Sequence, residues 1–255
     1  MHSFVYKFLS VSYFFTNFAP EIPDNKVNNM NLKLLIVAMA ATLMLSCSQE
    51  RGETEVIVET TMGTIELKLY NETPKHRDNF ISLANESYFD SLLFHRVIPD
   101  FMIQGGDPDS KYAPAGARLG EGGPGYLLNA EIRPGLIHKR GALAAAREGD
   151  EVNPAKMSSP CQFYIAWGKV YEKHELQALV NLIEERTGRK MELTTEQATA
   201  YTTVGGIPHL DGEYTVFGEV TKGLEVVDKI QNVERDKYDR PLTDVRILKV
   251  TVKEK

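Results

Sequence analysis

The sequence predicts a mainly β domain that carries two packed helices and a helical insertion. Short apolar runs alternate with Gly- and Pro-rich turns over residues 91–168. A hairpin pattern precedes this region, and apolar residues at helical spacing occur both before and after it. Runs of this length, broken by turn residues, favour a compact antiparallel sheet or barrel over a parallel α/β fold.

The domain begins with a predicted hairpin and helix. Residues 56–58 form one apolar run, a Thr-Met-Gly-Thr turn follows at 61–64, and apolar and polar residues alternate over 65–69. Two such runs around a short turn containing glycine are typical of a β-hairpin. Thr73 then supplies a predicted N-cap, and Pro74 suits the first position of a helix. Phe80, Leu83 and Ala84 keep the helical spacing.

Residues 170–203 interrupt the β pattern with a charged and largely helical insertion. Its first half places Leu176, Leu179, Val180 and Ile183 at helical spacing. Thr194, with Gln197 three residues later, matches a capping box for a second short helix. We expect the apolar stripe to pack on its own domain, and recruitment of a partner is the alternative.

The C-terminal part returns to the β pattern. Residues 214–218 are predicted to form a strand, residues 224–230 a helix, and residues 245–252 a closing strand. We therefore expect one domain over residues 55–255, in which two helices pack on the sheet and the segment 170–203 is inserted.

The N-terminal segment has the pattern of an export signal. Residues 34–45 form an uncharged apolar run, which is too short to span a bilayer but suits the apolar region of a signal peptide. A small residue and Cys47 follow, as in a bacterial lipoprotein signal whose cysteine becomes lipidated. An ordinary secretory signal or an uncleaved anchor is the alternative. We expect residues 1–46 to consist of an N-terminal extension and a signal peptide, with the signal peptide starting at Met30. We expect Cys47 to be lipidated and residues 47–54 to form a tether.

Composition and motifs exclude several classes of function. The net charge of −6 argues against nucleic acid as the main partner, and two cysteines cannot build a disulfide scaffold. The chain has no Walker loop, HExxH or paired CxxC motif, so we expect no metal and no cofactor. Cys161 precedes Gln162 and an apolar run. We expect a buried small residue at Cys161, and a thiol enzyme is the alternative.

Three segments together carry a specific signal. They are FHRVIPDFMIQGGD at 94–107, QFYI at 162–165 and HLDGEYTVFG at 209–218. On these residues the chain resembles the cyclophilin family of peptidyl-prolyl isomerases, from about residue 56 to residue 252. The resemblance implies a closed, antiparallel, eight-stranded barrel capped by two helices, and catalysis of X–Pro isomerisation without a covalent intermediate.

The resemblance also assigns the site. It makes Arg96 the donor to the prolyl nitrogen and Gln104 the residue that orients it. The implied substrate contacts are His95, Phe101, Met102, Ala144, Ala145, Gln162, Tyr164, His209, Leu210 and Tyr214.

Four of these residues depart from the family pattern. Tyr164 replaces a phenylalanine, and its hydroxyl is expected to tighten the pocket. His209 replaces a tryptophan, which is expected to weaken cyclosporin binding. Tyr214 replaces a histidine and Ala145 an asparagine. We expect an active enzyme with altered ligand preference.

The expected role is that of a lipid-anchored isomerase in the bacterial cell envelope, on the periplasmic face or the cell surface. Its partners would be proline-containing segments of exported proteins, whose folding it would assist, and we expect a monomer. Two alternatives remain open. One is a peptide-binding holdase that uses the insertion at 170–203, and the other is a purely structural envelope lipoprotein.

Overall fold

The computed structural model describes residues 52–253, which contain eight strands and four helices. The strands are β1 (Thr54–Thr60), β2 (Gly63–Leu69), β3 (Arg96–Ile98), β4 (Met102–Gly105), β5 (Ala142–Ala145), β6 (Phe163–Ala166), β7 (Val216–Lys222) and β8 (Ile247–Val252). The helices are α1 (Pro74–Asn85), α2 (Lys173–Thr187), α3 (Thr195–Thr203) and α4 (Leu224–Gln231). The mainly β class, the hairpin and the helical insertion are confirmed.

All eight strands belong to one antiparallel sheet. Their order is β3-β4-β6-β5-β7-β2-β1-β8, which leaves β3 and β8 at the edges. The residues that precede these two edge strands meet in an isolated bridge between Leu93 and Arg246, and the Phe94 amide donates to the Val245 carbonyl at 2.9 Å. The edge strands β3 and β8 themselves are not paired with each other, so the sheet is a curled half-barrel. The closed barrel that the resemblance implies stays a prediction.

The hydrophobic core lies between the sheet and the helices α1 and α4. Phe80 of α1 packs against Phe163 of β6 and Phe217 of β7, with ring centroids 5.6 and 5.7 Å away. Val227 and Ile230 of α4 have no exposed surface. Full burial of one such side chain stabilises a fold by about 1.5–3 kcal/mol, so these contacts hold both helices on the sheet.

The N-terminus of α1 is capped by a distant carboxylate. The helix begins at Pro74 as predicted, but the Thr73 hydroxyl is buried and makes no hydrogen bond. Instead, the Glu131 carboxylate accepts from the amides of Lys75 and His76, at 3.2 and 3.0 Å, and from the ring of His76 at 2.8 Å. The predicted helix start is right and the predicted side-chain cap is wrong, because a charged acceptor satisfies the free amides better than a hydroxyl.

The insertion forms α2 and α3 and packs on its own domain. Thr194 and Gln197 make the predicted capping box at the start of α3. Leu176 and Ile183 are buried, and α2 contacts both α3 and the short 3₁₀ turn at Pro208–Leu210. The insertion therefore lies against the segment that the sequence analysis assigned to the substrate pocket.

The predicted signal and the lipidation site fall on residues 1–47, which lie outside the described residues. Over residues 52–253, no helix combines the length and the apolar character that crossing a membrane requires.

Candidate active site

One cavity collects most of the predicted site residues. It has a volume of about 290 Å³. Its predicted lining residues are His95, Arg96, Phe101, Met102, Gln104, Tyr164, Leu210 and Tyr214. The other lining residues are Leu119, Gly120, Glu121, Ala146 and Arg147. Gln162 lines a neighbouring cavity of about 660 Å³, of which Gln104 is also a wall.

The inner part of the smaller cavity is apolar. Met102 and Tyr164 form it and are only 2% and 5% exposed. The ring of Tyr214 meets that of Tyr164 edge to face, with centroids 5.9 Å apart, and Phe101 and Leu210 are half-buried beside them. Rigid aromatic and aliphatic walls of this kind suit a compact apolar ring.

A cation stands beside this apolar slot. The antiparallel register of β3 and β4 places Arg96 directly opposite Gln104. Paired residues of neighbouring strands project from the same face of a sheet, so the two side chains meet. The Arg96 Nη1 donates to the Gln104 Oε1 at 3.3 Å.

A chain of amides fixes the orientation of this pair. The Gln104 Nε2 donates to the Gln162 Oε1 at 3.1 Å, and the Gln162 Nε2 donates to the carbonyls of Gly120 and Gly122, both at 2.9 Å. Backbone carbonyls only accept, so the amide nitrogen of Gln162 must face them. Its oxygen then faces Gln104, whose own oxygen must face Arg96.

His95 forms a buried wall of the cavity rather than an open rim. It is 4% exposed, and neither ring nitrogen has a hydrogen-bond partner. Burial lowers the pKa of His95 to about 4, the charge of Asp107 opposes this shift, and the charge of Arg96 adds to it. The ring is therefore neutral at neutral pH and places no second positive charge beside Arg96.

The hydroxyl of Tyr164 is bonded to a buried histidine. It lies 2.9 Å from the Nε2 of His138, which has no exposed surface and does not line the cavity. The Tyr164 ring lines the slot while its hydroxyl is hydrogen-bonded to His138, and the expected tightening of the pocket stays a prediction. His138 is not among the predicted site residues, since no motif surrounds it in the sequence.

Three predicted contacts, Ala144, Ala145 and His209, do not line this cavity. Ala144 and Ala145 are 0% and 3% exposed inside β5, and Ala146 and Arg147, which follow the strand, line the cavity instead. The role of Ala144 and Ala145 as substrate contacts, which the resemblance implies, stays a prediction. His209 is exposed and stacks on Phe101 with ring centroids 6.0 Å apart, outside the cavity lining.

Arg147 is a cavity residue that the sequence analysis missed. Its guanidinium donates to the Glu213 carbonyl at 2.8 Å and to the Asp150 carboxylate at 2.6 Å. It also lies over the ring of Tyr214, 4.5 Å from the centroid. These contacts hold the Tyr214 ring in place. In the sequence, only the position of Arg147 between an alanine run and the acidic segment 148–151 could have indicated that it belongs to the site.

Nucleophilic chemistry at Cys161 is not supported. The thiol is free and buried, and burial raises its pKa, so it is protonated at neutral pH. The predicted buried role of Cys161 is confirmed. Within residues 52–253 no three potential metal ligands cluster together.

Comparisons with known proteins agree with this geometry. The family model described as "Cyclophilin type peptidyl-prolyl cis-trans isomerase/CLD" matches residues 55–252. A Neurospora crassa protein named "Peptidyl-prolyl cis-trans isomerase-like 1" is 37% identical over 204 residues, which cover 78% of this chain and 94% of that protein. A Staphylococcus aureus (strain USA300) protein that carries a peptidyl-prolyl cis-trans isomerase name is 33% identical, over 85% of this chain and 100% of its own.

Solved structures share the fold. The crystal structure of a Cryptosporidium parvum cyclophilin type peptidyl-prolyl cis-trans isomerase superposes with a TM-score of 0.56 at 24% identity, and covers 80% of this chain and 99% of that one. A second structure of that protein, determined in the presence of the dipeptide Ala-Pro, gives a TM-score of 0.55 at 23% identity, over 79% of this chain and 99% of the other.

Proposed function

Since this chain belongs to the cyclophilin-type peptidyl-prolyl cis-trans isomerase family, we propose that Arg96 accelerates the rotation of X–Pro bonds by donating a hydrogen bond to the prolyl nitrogen. The observation that carries this proposal is the position of Arg96 beside an apolar slot, with its orientation fixed through Gln104.

The reaction needs little chemistry from the protein. An amide C–N bond has partial double-bond character, and its rotation meets a barrier of about 18–20 kcal/mol. Uncatalysed X–Pro isomerisation therefore takes tens of seconds or longer. No covalent bond forms or breaks and no proton leaves the substrate, so neither a nucleophile nor a general base is required.

The transition state differs from both ground states at one atom. As the bond twists, the lone pair that was shared with the carbonyl becomes localised on the prolyl nitrogen, which turns into a hydrogen-bond acceptor. A donor aimed at this nitrogen binds the twisted form more tightly than either planar form, and this difference lowers the barrier. Arginine suits the task because its guanidinium stays charged across the physiological pH range.

The apolar slot and Arg96 have separate roles in the proposed reaction. Met102, Tyr164 and Phe101 would hold the proline ring, so that rotation moves the residue before proline. Gln104 keeps the guanidinium of Arg96 from turning away, and this fixed orientation avoids reorganisation during the reaction. The Cryptosporidium parvum structure determined with Ala-Pro supports short proline-containing segments as the substrate class.

Replacement of Arg96 tests the mechanism. We expect Arg96→Ala to slow turnover of an Ala–Pro peptide about 10²–10³-fold, because loss of one transition-state donor costs about 3–4 kcal/mol. The matched control is Arg186→Ala, which removes an exposed arginine from α2. NMR exchange spectroscopy or a protease-coupled assay gives the rates. Equal turnover by the two variants would show that Arg96 is not the donor.

We further propose that the enzyme acts, as a monomer, on exported proteins from a lipid anchor at Cys47, and that it assists their folding. The apolar run at residues 34–45 followed by a small residue and Cys47 supports this. Mass spectrometry of the protein from a bacterial membrane fraction tests it. A diacylglycerol adduct on Cys47 that is lost in Cys47→Ser is the expected result, and an unmodified or absent Cys47 peptide in the mature protein contradicts it.

A further inference from the structure

The helical insertion reaches the proline slot through a buried chain of hydrogen bonds. We infer that the insertion positions the wall of the slot through Tyr201, Asp211, His138 and Tyr164, so that Tyr201 of α3 is a positioning residue for substrate binding. The inference rests on the proposed function only for what the slot holds.

The polar atoms of the chain can be assigned donor and acceptor roles that agree with one another. The Asp211 Oδ1 lies 2.9 Å from the His138 Nδ1 and also accepts from the His138 amide at 2.8 Å. A carboxylate only accepts, so Nδ1 carries the proton of this hydrogen bond. In the tautomer with its single ring proton on Nδ1, the Nε2 accepts from the Tyr164 hydroxyl, 2.9 Å away. Burial raises the pKa of Tyr164, which keeps this donor protonated.

The insertion supplies the other end of the chain. Tyr201 has no exposed surface, and its hydroxyl donates to the Asp211 Oδ2 at 2.6 Å. Burial raises the pKa of Tyr201, so it stays a donor. Arg189, in the loop between α2 and α3, donates to the carbonyl of Asp211 and, at 3.3 Å, to that of His209. Asp211 is only 8% exposed, and a buried carboxylate needs such donors.

The chain ends at atoms that form the slot. The ring of His138 is parallel to that of Tyr164, with an interplanar angle of 9° and centroids 5.9 Å apart. A shift of the Asp211 carboxylate would therefore be felt at Tyr164 through His138.

The expected kinetic signature differs from that of Arg96. The slot holds the proline ring in the ground state and in the transition state alike. Loosening a contact of this kind raises KM and leaves kcat nearly unchanged, whereas losing a transition-state donor lowers kcat. We expect Tyr201→Phe, which removes a single hydroxyl, to raise both KM and the dissociation constant for an Ala–Pro peptide about 3- to 10-fold.

The test is a double-mutant cycle on the full soluble domain. The variants are Tyr201→Phe, Tyr164→Phe and their combination, and the matched control is Tyr171→Phe, which removes the hydroxyl of another tyrosine of the insertion. Peptide affinity is measured by NMR titration, turnover by exchange spectroscopy, and the folded state by circular dichroism. Tyr164→Phe removes the hydroxyl that connects the slot to His138. In that background, Tyr201→Phe should weaken peptide binding by less than a further twofold.

Two outcomes would overturn the inference. One is a Tyr201→Phe protein whose affinity equals that of Tyr171→Phe, and the other is an equal loss of affinity in both backgrounds, which would mean a route that bypasses Tyr164. The proposed function fails separately. It fails if the wild-type protein does not turn the peptide over, or if Arg96→Ala turns it over equally fast, and in either case the affinities still decide whether the chain positions the slot.

Discussion

The orientation of Arg96 through two glutamines gives the sharpest test of how the site is built. Gln162 is the far end of the amide chain, bonded to Gln104 and to the carbonyls of Gly120 and Gly122. Gln162→Leu keeps a similar volume and removes both the amide oxygen and the amide nitrogen. The side-chain amide of Gln104 then loses its hydrogen bond to Gln162. It can turn so that its nitrogen, instead of its oxygen, faces Arg96.

The size of the effect follows from the bonds that are lost. A neutral hydrogen bond contributes about 0.5–1.5 kcal/mol, and the Arg96–Gln104 bond that depends on it is long, at 3.3 Å. A loss of about 1 kcal/mol in transition-state stabilisation lowers kcat about fivefold. This is well below the loss of about 10²–10³-fold that we expect for Arg96→Ala.

The assay compares kcat for an Ala–Pro peptide in Gln162→Leu with that in Gln177→Leu, which replaces an exposed glutamine of α2. The combination of Gln162→Leu with Gln104→Leu should be little slower than Gln104→Leu alone, since both act on the same bond. A kcat equal to that of Gln177→Leu would refute the orienting role of Gln162. A loss as large as that of Arg96→Ala would also refute it, because Gln162 would then act on the substrate directly.

Two further predictions concern stability. The pKa of His95 is lowered from 6.5 to about 4 by burial, so the fold favours its neutral form and stability is lost as pH falls from 6.5 to 4. Between pH 6.5 and 4, the free energy of unfolding measured by urea denaturation should therefore fall by about 3 kcal/mol less in His95→Gln than in the wild type. An equal pH dependence in the two proteins would contradict this. Glu131→Gln places a donor against one of the two amides, Lys75 or His76, and should cost about 2 kcal/mol, or about 4–8 °C in Tm. The exposed Glu86→Gln should shift Tm by less than about 2 °C, and an equal shift in both variants would exclude the cap.

Elements with local signals could be predicted from the sequence. The β1–β2 hairpin, the start of α1 at Pro74 and the capping box of α3 each depend on residues within a few positions of one another. The roles of Arg96 and Gln104 are implied by the family resemblance. The two residues lie on neighbouring strands joined by a short turn, so one continuous segment carries both.

Features held together by distant residues could not be predicted. The cap of α1 comes from Glu131, more than fifty residues away, and nothing around Glu131 in the sequence indicates it. The resemblance implies substrate contacts at Ala144 and Ala145, but an alanine run has no periodicity to fix which residue leaves the strand first. The structure shows that β5 ends at Ala145, which leaves Ala146 and Arg147 at the cavity.

Tyr164 and the helical insertion, which are far apart in the sequence, are physically connected. A tyrosine hydroxyl buried at Tyr164 without an acceptor would cost about 1–3 kcal/mol. His138 can accept it only while the imidazole proton is held on the far nitrogen, and Asp211 holds it there. Asp211 is buried and takes its remaining side-chain donor, Tyr201, from the insertion. The hydroxyl of Tyr164 in the slot and that of Tyr201 in the insertion therefore belong to one buried chain of hydrogen bonds.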